Sequence, residues 1–342
     1  MVGEGKPALI VAEISCNHLQ KKDVALKLIS EAKVAGADAV KFQNYTPDTM
    51  TLDVDNQYFR IKGTAWGGRT LYNLYQEAYT PQEWFPELKD RTEQEGMVFF
   101  STPFDISAVD FLEKLGIHTY KISSFEINDI PLLERVAKTK KPVIFSTGLA
   151  TMPDIELALD TIRRQGNNNI IILKCTSAYP APVSEMDLLT IPEIRKKFGV
   201  LAGLSDHSLS IIPPVVSVAL GACIIEKHFI MEPKSGPDAG FSLNPVEFKE
   251  MVTAVRDAEA SLGEPGFKLG ENAKEHRFFM RSIFVAEDIK KGEKFTEKNV
   301  RIVRPGNGLH PKYYESIIGK KAKTDLKKGT PLGKEMVEEW KA

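Results

Sequence analysis

The first two thirds of the chain repeat one pattern, in which a short β-rich apolar run ends in polar residues and an amphipathic helical segment follows. In residues 23–36, D-V-A-L-K-L-I-S-E-A-K-V-A-G, apolar residues recur at i, i+3, i+4 and i+7 before the closing Gly36. Such alternation predicts a parallel sheet, and eight units predict a closed (β/α)8 TIM barrel. The alternative, an open doubly wound sheet, would bring a glycine-rich turn after its first strand, where the chain has E-I-S-C-N-H instead. The eight runs begin near residues 8, 39, 97, 119, 142, 170, 201 and 223.

The longest gap between two runs covers residues 46–96. Its stretches Y-T-P-D-T-M-T-L-D and I-K-G-T-A-W-G-G-R-T do not follow the helical period. We therefore expect an inserted loop after the second strand, at the rim of the barrel where such loops shape the substrate pocket.

The pattern changes after Ser261, where a connector rich in glycine and lysine precedes short strands and turns. D-I-K-K-G at Asp288 returns as D-L-K-K-G at Asp325, which indicates a duplicated β motif. We predict a barrel over residues 1–262, a linker over 263–280 and a small C-terminal domain over 281–342. A domain of about 60 residues is marginal by itself, so we expect it to lean on a partner surface.

Composition narrows the class of partner. Lysine plus arginine number 45 against 46 for aspartate plus glutamate, which points to a small metabolite rather than to nucleic acid or a membrane surface. The cysteines, Cys16, Cys175 and Cys223, are dispersed in apolar runs, and no C-x-x-C pair suggests structural zinc. The N-terminus lacks the pattern of a secretory signal, so we expect a cytoplasmic protein.

Polar residues close nearly every predicted strand, at the end of the barrel where catalytic groups lie in enzymes of this fold. Together they predict a polar site above an apolar barrel. These residues are Glu13, Lys41, Gln43, Ser101, Thr102, Lys121, Ser124, Glu126, Ser146, Thr147, Ser177, Ser205, His207, Glu226 and His228.

Two lysines at the barrel mouth require an explanation, because a buried ammonium group without an anion is costly. Lys41 and Lys121 would bind a phosphate and a carboxylate, together with nearby serine hydroxyls. Alternatively, each lysine pairs with a neighbouring carboxylate such as Glu13 or Glu126. A Schiff-base lysine, as in barrel aldolases, is a further alternative.

His207 and His228 end the seventh and eighth strands, and neighbouring strands lie about 4.8 Å apart. Two inward imidazoles could share one cation whose remaining positions hold water, although two satisfied core histidines would show the same spacing. Strand parity turns Asp206 to the opposite face, and no G-x-S-x-G elbow is present, which argues against a Ser–His–Asp triad.

A series of short motifs runs in order along almost the whole chain: A-E-I-S-C-N-H, K-F-Q-N-Y, K-I-S-S-F-E, S-T-G-L-A, K-C-T-S-A-Y-P, G-L-S-D-H-S, E-K-H-F, G-P-D and R-P-G-N-G-L. Together they resemble the sialic acid synthase family of nonulosonate synthases. The C-terminal segment resembles the antifreeze-like (SAF, β-clip) module. Within the inserted loop, Q-N-Y-T-P-D-T-M-T-L-D, I-K-G-T-A-W and L-Y-N-L-Y-Q-E-A-Y-T-P-Q-E-W are similar to the pseudaminic acid synthase branch rather than to the N-acetylneuraminate branch.

The resemblance implies a metal-dependent synthase that condenses phosphoenolpyruvate with the open-chain aldehyde of an N-acetylated amino sugar. Members of the family use a divalent metal, usually Mn²⁺ or Mg²⁺, and release phosphate by C–O cleavage. In the pseudaminate branch the sugar is 2,4-diacetamido-2,4,6-trideoxy-altrose. A synthase for N-acetylneuraminate or legionaminate, a Schiff-base aldolase and a non-catalytic sugar-binding protein are the competing hypotheses.

The resemblance also implies roles for single residues. His207 and His228 would hold the metal, and Glu13 would lie near both substrates and handle a proton or the attacking water. Arg304 would reach the sugar from the other subunit of a domain-swapped homodimer. The implied sugar-binding residues are Gln43, Glu126, Tyr179 and Asp238. The implied phosphoenolpyruvate-binding residues are Lys41, Lys121, Ser124, Ser146, Ser205 and Thr102, with Ser177 standing where sialate synthases carry asparagine.

Overall fold

The computed structural model describes residues 2–3, 5–63, 66–232 and 236–340, in two compact units, Met1–Gly263 and Glu264–Ala342. The first unit contains a closed barrel of eight parallel strands, which confirms the predicted (β/α)8 fold. The first strand pairs in parallel with both the second and the eighth, so the sheet has no edge. The strands are β1 Leu9–Glu13, β2 Ala39–Asn44, β3 Val98–Pro103, β4 Tyr120–Ile122, β5 Val143–Ser146, β6 Ile170–Cys175, β7 Leu201–Asp206 and β8 Ile224–His228.

Helices connect the strands, and their ends follow local sequence signals. Asp129 caps one helix by accepting a hydrogen bond from the Leu132 backbone, and Asn244 forms a capping box with Glu247 at the start of another. Every described helix is too short or too polar to cross a membrane. The helices of this unit are α1 Lys22–Val34, α2 Pro47–Met50, α3 Leu71–Ala78, α4 Phe85–Gln94, α5 Ile106–Leu115, α6 Ile130–Lys138, α7 Met152–Arg164, α8 Thr190–Phe198, α9 Ile212–Ala219 and α10 Pro245–Leu262.

The inside of the barrel is divided into two layers by the period of the strands. One group of inward residues, including Val11, Phe100 and Ile224, forms an apolar cluster of its own. Two positions further along the same strands the inward residues are Glu13, Thr102 and Glu226. Strand side chains on one face repeat every second residue, so these three strands each place an apolar side chain in the barrel and a polar one nearer its mouth.

The segment between β2 and β3 forms the predicted insertion. It contains the short helices α2 and α3. In the stretch that joins them, the backbones of Arg60 and Thr70 form an isolated antiparallel β-bridge. The one-turn α2 falls in a stretch that we expected to be irregular, and Thr46 caps it by accepting from the Thr49 backbone. Thr64 and Ala65, in the I-K-G-T-A-W motif, lie outside the described residues.

The second unit has its own core, to which Ile283, Phe295 and Val300 belong. Two antiparallel strands, β9 Ser282–Val285 and β10 Val300–Val303, accompany the short helices α11 Glu271–His276 and α12 Tyr314–Ile317.

The repeated D-x-K-K-G motif of the second unit pairs with itself. The Asp288 carboxylate accepts from the Lys328 backbone amide at 2.9 Å, and the Asp325 carboxylate accepts from the Lys291 amide at 2.8 Å. Each copy therefore closes the turn of the other, as an internal duplication would require.

Candidate active site

A cavity of about 330 Å³ lies at the carboxyl ends of the barrel strands. Its polar lining consists largely of residues that the sequence singled out, because the last inward positions of β1, β2, β4, β5, β7 and β8 point into it. The predicted site residues that line it are Glu13, Lys41, Gln43, Lys121, Ser124, Glu126, Ser146, Tyr179, Ser205, His207, His228 and Asp238.

Buried lysines and carboxylates alternate at the bottom of this cavity. Lys41 Nζ lies 2.7 Å from Glu13 Oε2, and the Nζ atoms of Lys41 and Lys121 each lie 3.7 Å from Glu226 Oε1. The sequence left open that each lysine pairs with a carboxylate such as Glu13 or Glu126. Lys41 does pair with Glu13, whereas the carboxylate beside Lys121 is that of Glu226.

Serine hydroxyls extend this cluster on the side of β4 and β5. Lys121 Nζ donates to Ser146 Oγ at 2.8 Å, and Ser124 Oγ lies 3.1 Å from the same oxygen. Ser205 donates to Glu226 at 3.3 Å. Lys121 lies within β4, whereas Ser124 follows the end of that strand, which reconciles their opposite parity in the sequence.

Burial and the opposite charges of neighbours act in opposite directions on the pKa values of Glu13, Glu226 and Lys121. Burial raises the pKa of Glu13 above its usual value despite the adjacent Lys41 ammonium group. Burial also disfavours ionisation of Glu226, but the charges of Lys121 and Lys41 outweigh it and lower the pKa of this carboxyl. Burial lowers the pKa of Lys121, against the attraction of Glu226. Glu13 is therefore the carboxyl of the cluster that holds a proton more readily.

His207 and His228 face each other, with ring centroids 5.4 Å apart. His207 Nδ1 lies 3.0 Å from the Thr176 carbonyl oxygen, which fixes the proton on Nδ1 and leaves a lone pair on Nε2. His228 Nδ1 is buried and has no hydrogen-bond partner among the described residues, and Asp238 Oδ2 is 3.9 Å away. Burial, reinforced by the positive charges of neighbouring groups, lowers the pKa of His228 well below its usual value.

These two imidazoles fit a divalent cation, because His228 Nδ1 is buried without a partner among the described residues and the Thr176 contact of His207 leaves Nε2 as its available nitrogen. Burial disfavours the charged form of His207, but the neighbouring Cys175 outweighs it and raises the pKa of this imidazole, so a cation would have to compete with a proton there. In the part of the chain that the structure describes, no group of three or more histidine, cysteine or acidic side chains could hold a metal ion. The chain would thus supply two nitrogen ligands, and water or substrate oxygens would complete the coordination.

The carboxylate next to His207 in the sequence has a different partner. Asp206 Oδ2 lies 2.6 Å from Lys227 Nζ, and both side chains are fully buried. Asp206 therefore cannot orient the imidazole, as strand parity predicted, and a Ser–His–Asp triad built on Asp206 and His207 is excluded.

Polar groups for a second substrate line the side of β1 and β2. Gln43 Nε2 donates to Glu13 Oε1 at 2.9 Å and to Ser15 Oγ at 3.1 Å, and Ser15 in turn donates to Asp238. On the opposite side Glu126 accepts a hydrogen bond from Ser123, and burial raises the pKa of Glu126 to about 7.

Aromatic rings cover the histidine pair. The Tyr179 ring lies 4.4 Å from the His207 ring and 4.9 Å from that of Phe241, and Trp66 packs against Tyr179 at 5.6 Å. Trp66 also donates from Nε1 to the Pro237 carbonyl at 3.0 Å. The inserted segment thereby reaches the loop that follows β8.

Two polar residues that the sequence placed at the site, Ser101 and Thr147, do not line the cavity. Their hydroxyls donate to backbone carbonyl oxygens instead.

Three residues to which the resemblance gave a role also lie outside the cavity lining. Thr102 is buried behind Lys41, whose Nζ donates to it at 3.1 Å. Ser177 lies beside Cys175, with 3.9 Å between the oxygen and the sulfur. Arg304 belongs to the second unit, where it is exposed just after β10.

Several residues of the site received no role from the sequence. Glu226 shares a strand face with His228, so its position was predictable although its place between two lysines was not. Ser15 lies two residues after Glu13, the last residue of β1, so the alternation of the strand would also place it on the inward face. Trp66 and Phe241 lie in irregular loops, where no periodic pattern marks an inward side chain.

Comparison with known proteins agrees with this geometry. Residues 28–266 match the NeuB family and residues 280–338 match the SAF domain. The chain is 46% identical over 328 residues to the pseudaminic acid synthase of Campylobacter jejuni subsp. jejuni serotype O:23/36 (strain 81-176), covering 96% of each chain. It is 43% identical over 335 residues to the pseudaminic acid synthase of Helicobacter pylori (strain ATCC 700392 / 26695), covering 97% of this chain and 98% of the other.

Among solved structures, the spore coat polysaccharide biosynthesis protein SpsE of Bacillus subtilis superimposes with a TM-score of 0.67 at 36% identity. That match covers 98% of this chain and 96% of the other. The family match spans more than half of the chain and includes the strands β2 to β8, which supply all the strand residues that line the cavity except Glu13. The chain belongs to the NeuB family.

Proposed function

We propose that this protein is a pseudaminic acid synthase, which condenses phosphoenolpyruvate with 2,4-diacetamido-2,4,6-trideoxy-altrose and water and releases phosphate. The observation that carries the proposal is the buried cluster of Lys41, Lys121 and serine hydroxyls at the base of a cavity that also holds a pair of histidines. The choice of sugar rests on the relatives, since pseudaminic acid synthases match at 43–46% identity over nearly the whole chain.

Phosphoenolpyruvate would lie against the two ammonium groups. Lys41 and Lys121 would donate to its phosphate and carboxylate, and Ser124, Ser146 and Ser205 would donate through their hydroxyls. Two carboxylates already balance the two lysines, so a trianion adds charge that needs compensation. A proton on Glu13, whose pKa burial raises, would supply part of it.

The reaction joins carbon 3 of phosphoenolpyruvate to the aldehyde carbon of the sugar. The aldehyde oxygen takes up a proton, water adds to carbon 2, and the bond from that carbon to the phosphate oxygen breaks as the ketone forms. Glu13 would lie near both reactants and would transfer a proton to the aldehyde oxygen or accept one from the water. When bound at His207 and His228, a divalent cation such as Mn²⁺ or Mg²⁺ supplies polarisation of an oxygen.

The sugar would occupy the remaining cavity. Gln43 and Asp238 lie on one side of it and Glu126 on the other, and they offer an amide and two carboxyl groups to hydroxyl and acetamido substituents. Tyr179 would present its ring and its hydroxyl to the same substrate. Holding both reactants in this enclosed space supplies the proximity that a bimolecular condensation requires.

We further propose that two copies assemble so that the second unit of one supplies Arg304 to the barrel of the other. The exposure of Arg304 and the small size of its unit support this arrangement. We place the enzyme in the cytoplasm, which the three free, buried cysteines support.

The test is a comparison of sugars. Purified protein with phosphoenolpyruvate and Mn²⁺ is given the diacetamido altrose sugar, the legionaminate precursor sugar or N-acetylmannosamine, and phosphate release and product mass are recorded. We expect the altrose sugar to give the highest kcat/KM and a product that retains both acetamido groups. Faster phosphate release with N-acetylmannosamine would overturn the assignment.

Lys121 favours a second candidate function, a Schiff-base aldolase. Burial lowers the pKa of this lysine, which is the property that makes an amine nucleophilic. Borohydride reduction in the presence of pyruvate would then attach a three-carbon adduct to Lys121, and EDTA would leave activity intact. We expect neither result from the synthase.

A further inference from the structure

The cavity has one wall that differs in chemistry from the rest. Its polar residues come from the barrel strands and the loops that directly follow them. The inserted segment between β2 and β3 contributes, in its described parts, only aliphatic and aromatic side chains. Besides Trp66, they are Met50, Ile61, Leu71, Leu74, Tyr75 and Ala78, which we call the insertion wall.

The insertion wall is an ordered part of the structure. Thr70 caps α3 by accepting a hydrogen bond from the Asn73 backbone, and Leu74 on that helix is buried. The Tyr45 ring lies 5.7 Å from that of Tyr75 and 5.2 Å from that of Phe104. The aromatic contacts fix α3 against the end of β2, so its apolar side chains face the cavity in a defined arrangement.

The proposed function assigns places to the reacting ends of the two substrates. Phosphoenolpyruvate would lie against the lysines and hydroxyls at the strand ends, and the aldehyde carbon of the sugar would have to lie beside it. The insertion lies between β2 and β3 and follows the carboxyl end of β2, so its wall is on the rim side of the cavity, opposite the strand ends that form the floor. An open six-carbon chain that starts at the floor would extend toward this rim. The far end of the sugar would then meet mainly aliphatic and ring carbons, with the Tyr75 hydroxyl and Trp66 Nε1 as the hydrogen-bonding groups of the wall.

We propose that the insertion wall is the specificity determinant for a 6-deoxy sugar, with Leu71 and Met50 in contact with its C6 methyl group. This inference rests on the proposed function. A hydroxyl at carbon 6 would lose its hydrogen bonds to water on entering and find no matching group on the aliphatic side chains. A methyl group at the same place loses nothing and gains contacts.

The experiment measures kcat/KM for two sugars, 2,4-diacetamido-2,4,6-trideoxy-altrose and the analogue that carries a hydroxyl at carbon 6. We expect the native enzyme to prefer the deoxy sugar by about 10- to 100-fold, the range in which apolar pockets discriminate. Leu71→Asn, which keeps the size of the side chain, should reduce this preference about tenfold. Met50→Gln should act in the same direction.

Leu52→Asn is the matched control. Leu52 lies in the same segment, is 62% exposed and does not line the cavity. It should leave the preference unchanged, and equal melting temperatures of the variants would exclude a general loss of structure. If the native enzyme accepts both sugars equally, or if Leu71→Asn and Met50→Gln behave like Leu52→Asn, the inference is wrong while the proposed function stands. Absence of phosphate release with either sugar would overturn both.

Discussion

Asp206 and Lys227 form a fully buried ion pair directly behind the two histidines of the site. They are register partners on β7 and β8 and lie immediately before His207 and His228 in the sequence. Lys227 also donates to the carbonyl of Ser208, in the loop after β7. The pair therefore ties the two strands together at the level where both imidazoles enter the cavity.

Lys227→Met should strongly destabilise the first unit, because Asp206 would remain as a buried, unpaired carboxylate. We expect the free energy of unfolding to fall by about 3–5 kcal/mol, as measured by chemical denaturation. The double variant Asp206→Leu, Lys227→Met removes both charges and should recover most of the loss. A double variant as unstable as the single one would show that the charge is not the cause.

His207→Ala should abolish metal-dependent turnover while the fold survives. We expect kcat to fall by more than about a hundredfold, because only one of the two nitrogen ligands for the cation would remain. Weaker Mn²⁺ binding, followed by paramagnetic resonance, should accompany it, and EDTA should inactivate the native enzyme reversibly. His118→Ala, at an exposed position, serves as the control. Normal activity of His207→Ala would refute the metal role.

Glu126 should make stability depend on pH. Burial raises its pKa from 4.5 to about 7, so the folded state binds this proton more tightly than the unfolded state. The proton on Glu126 contributes to the free energy of unfolding fully below about pH 4.5, and this contribution is lost as the pH rises through 7. The free energy of unfolding should differ by about 3 kcal/mol between the two limits. Between pH 5 and pH 8 the native protein should therefore lose more stability than Glu126→Gln. If the free energies of unfolding of the two proteins change with pH in the same way, Glu126 does not have the raised pKa.

Gly148→Ala should impair phosphoenolpyruvate binding. A Cβ atom at this position would collide with Ser177 Oγ and approach Cys175 Sγ to 2.9 Å and Ser124 Oγ to 3.0 Å. Ser177 and Cys175 would have to shift and Ser124 would be displaced slightly from its contact with Ser146, so we expect KM for phosphoenolpyruvate to rise by about 10- to 100-fold. KM for the sugar should change less. Gly266→Ala, where nothing lies within 4 Å, should have no effect on either constant.

The order of strands and the parity of their last residues were predictable from the sequence, because both follow from short-range periodicity. Lys41 and Thr102 lie on adjacent strands, β2 and β3, so the order of strands is enough to account for their contact. Lys121 and Glu226 approach each other from β4 and β8, on opposite sides of the barrel. Their contact depends on the radius and tilt of the closed sheet, which no local pattern encodes.

The contributions of loops were less accessible. Trp66 and Phe241 meet above the histidines although each lies in an irregular segment, and their contact depends on how two long loops fold over the rim. The apolar character of the insertion wall was visible in L-Y-N-L-Y, but a helix that faces a cavity has the same pattern as one that faces a core.

The two layers inside the barrel have a consequence for altering the enzyme. Val11 and Glu13 are two residues apart on one strand, as are Ile224 and Glu226 on another. In each pair the first side chain packs in the apolar layer of the barrel, and the second belongs to the polar cluster of the candidate active site. Substitutions in the upper layer can redirect what the cavity binds without removing the packing beneath it. The apolar lower layer can therefore stay unchanged while substitutions in the polar upper layer, made in the laboratory or by evolution, change which sugar the enzyme accepts.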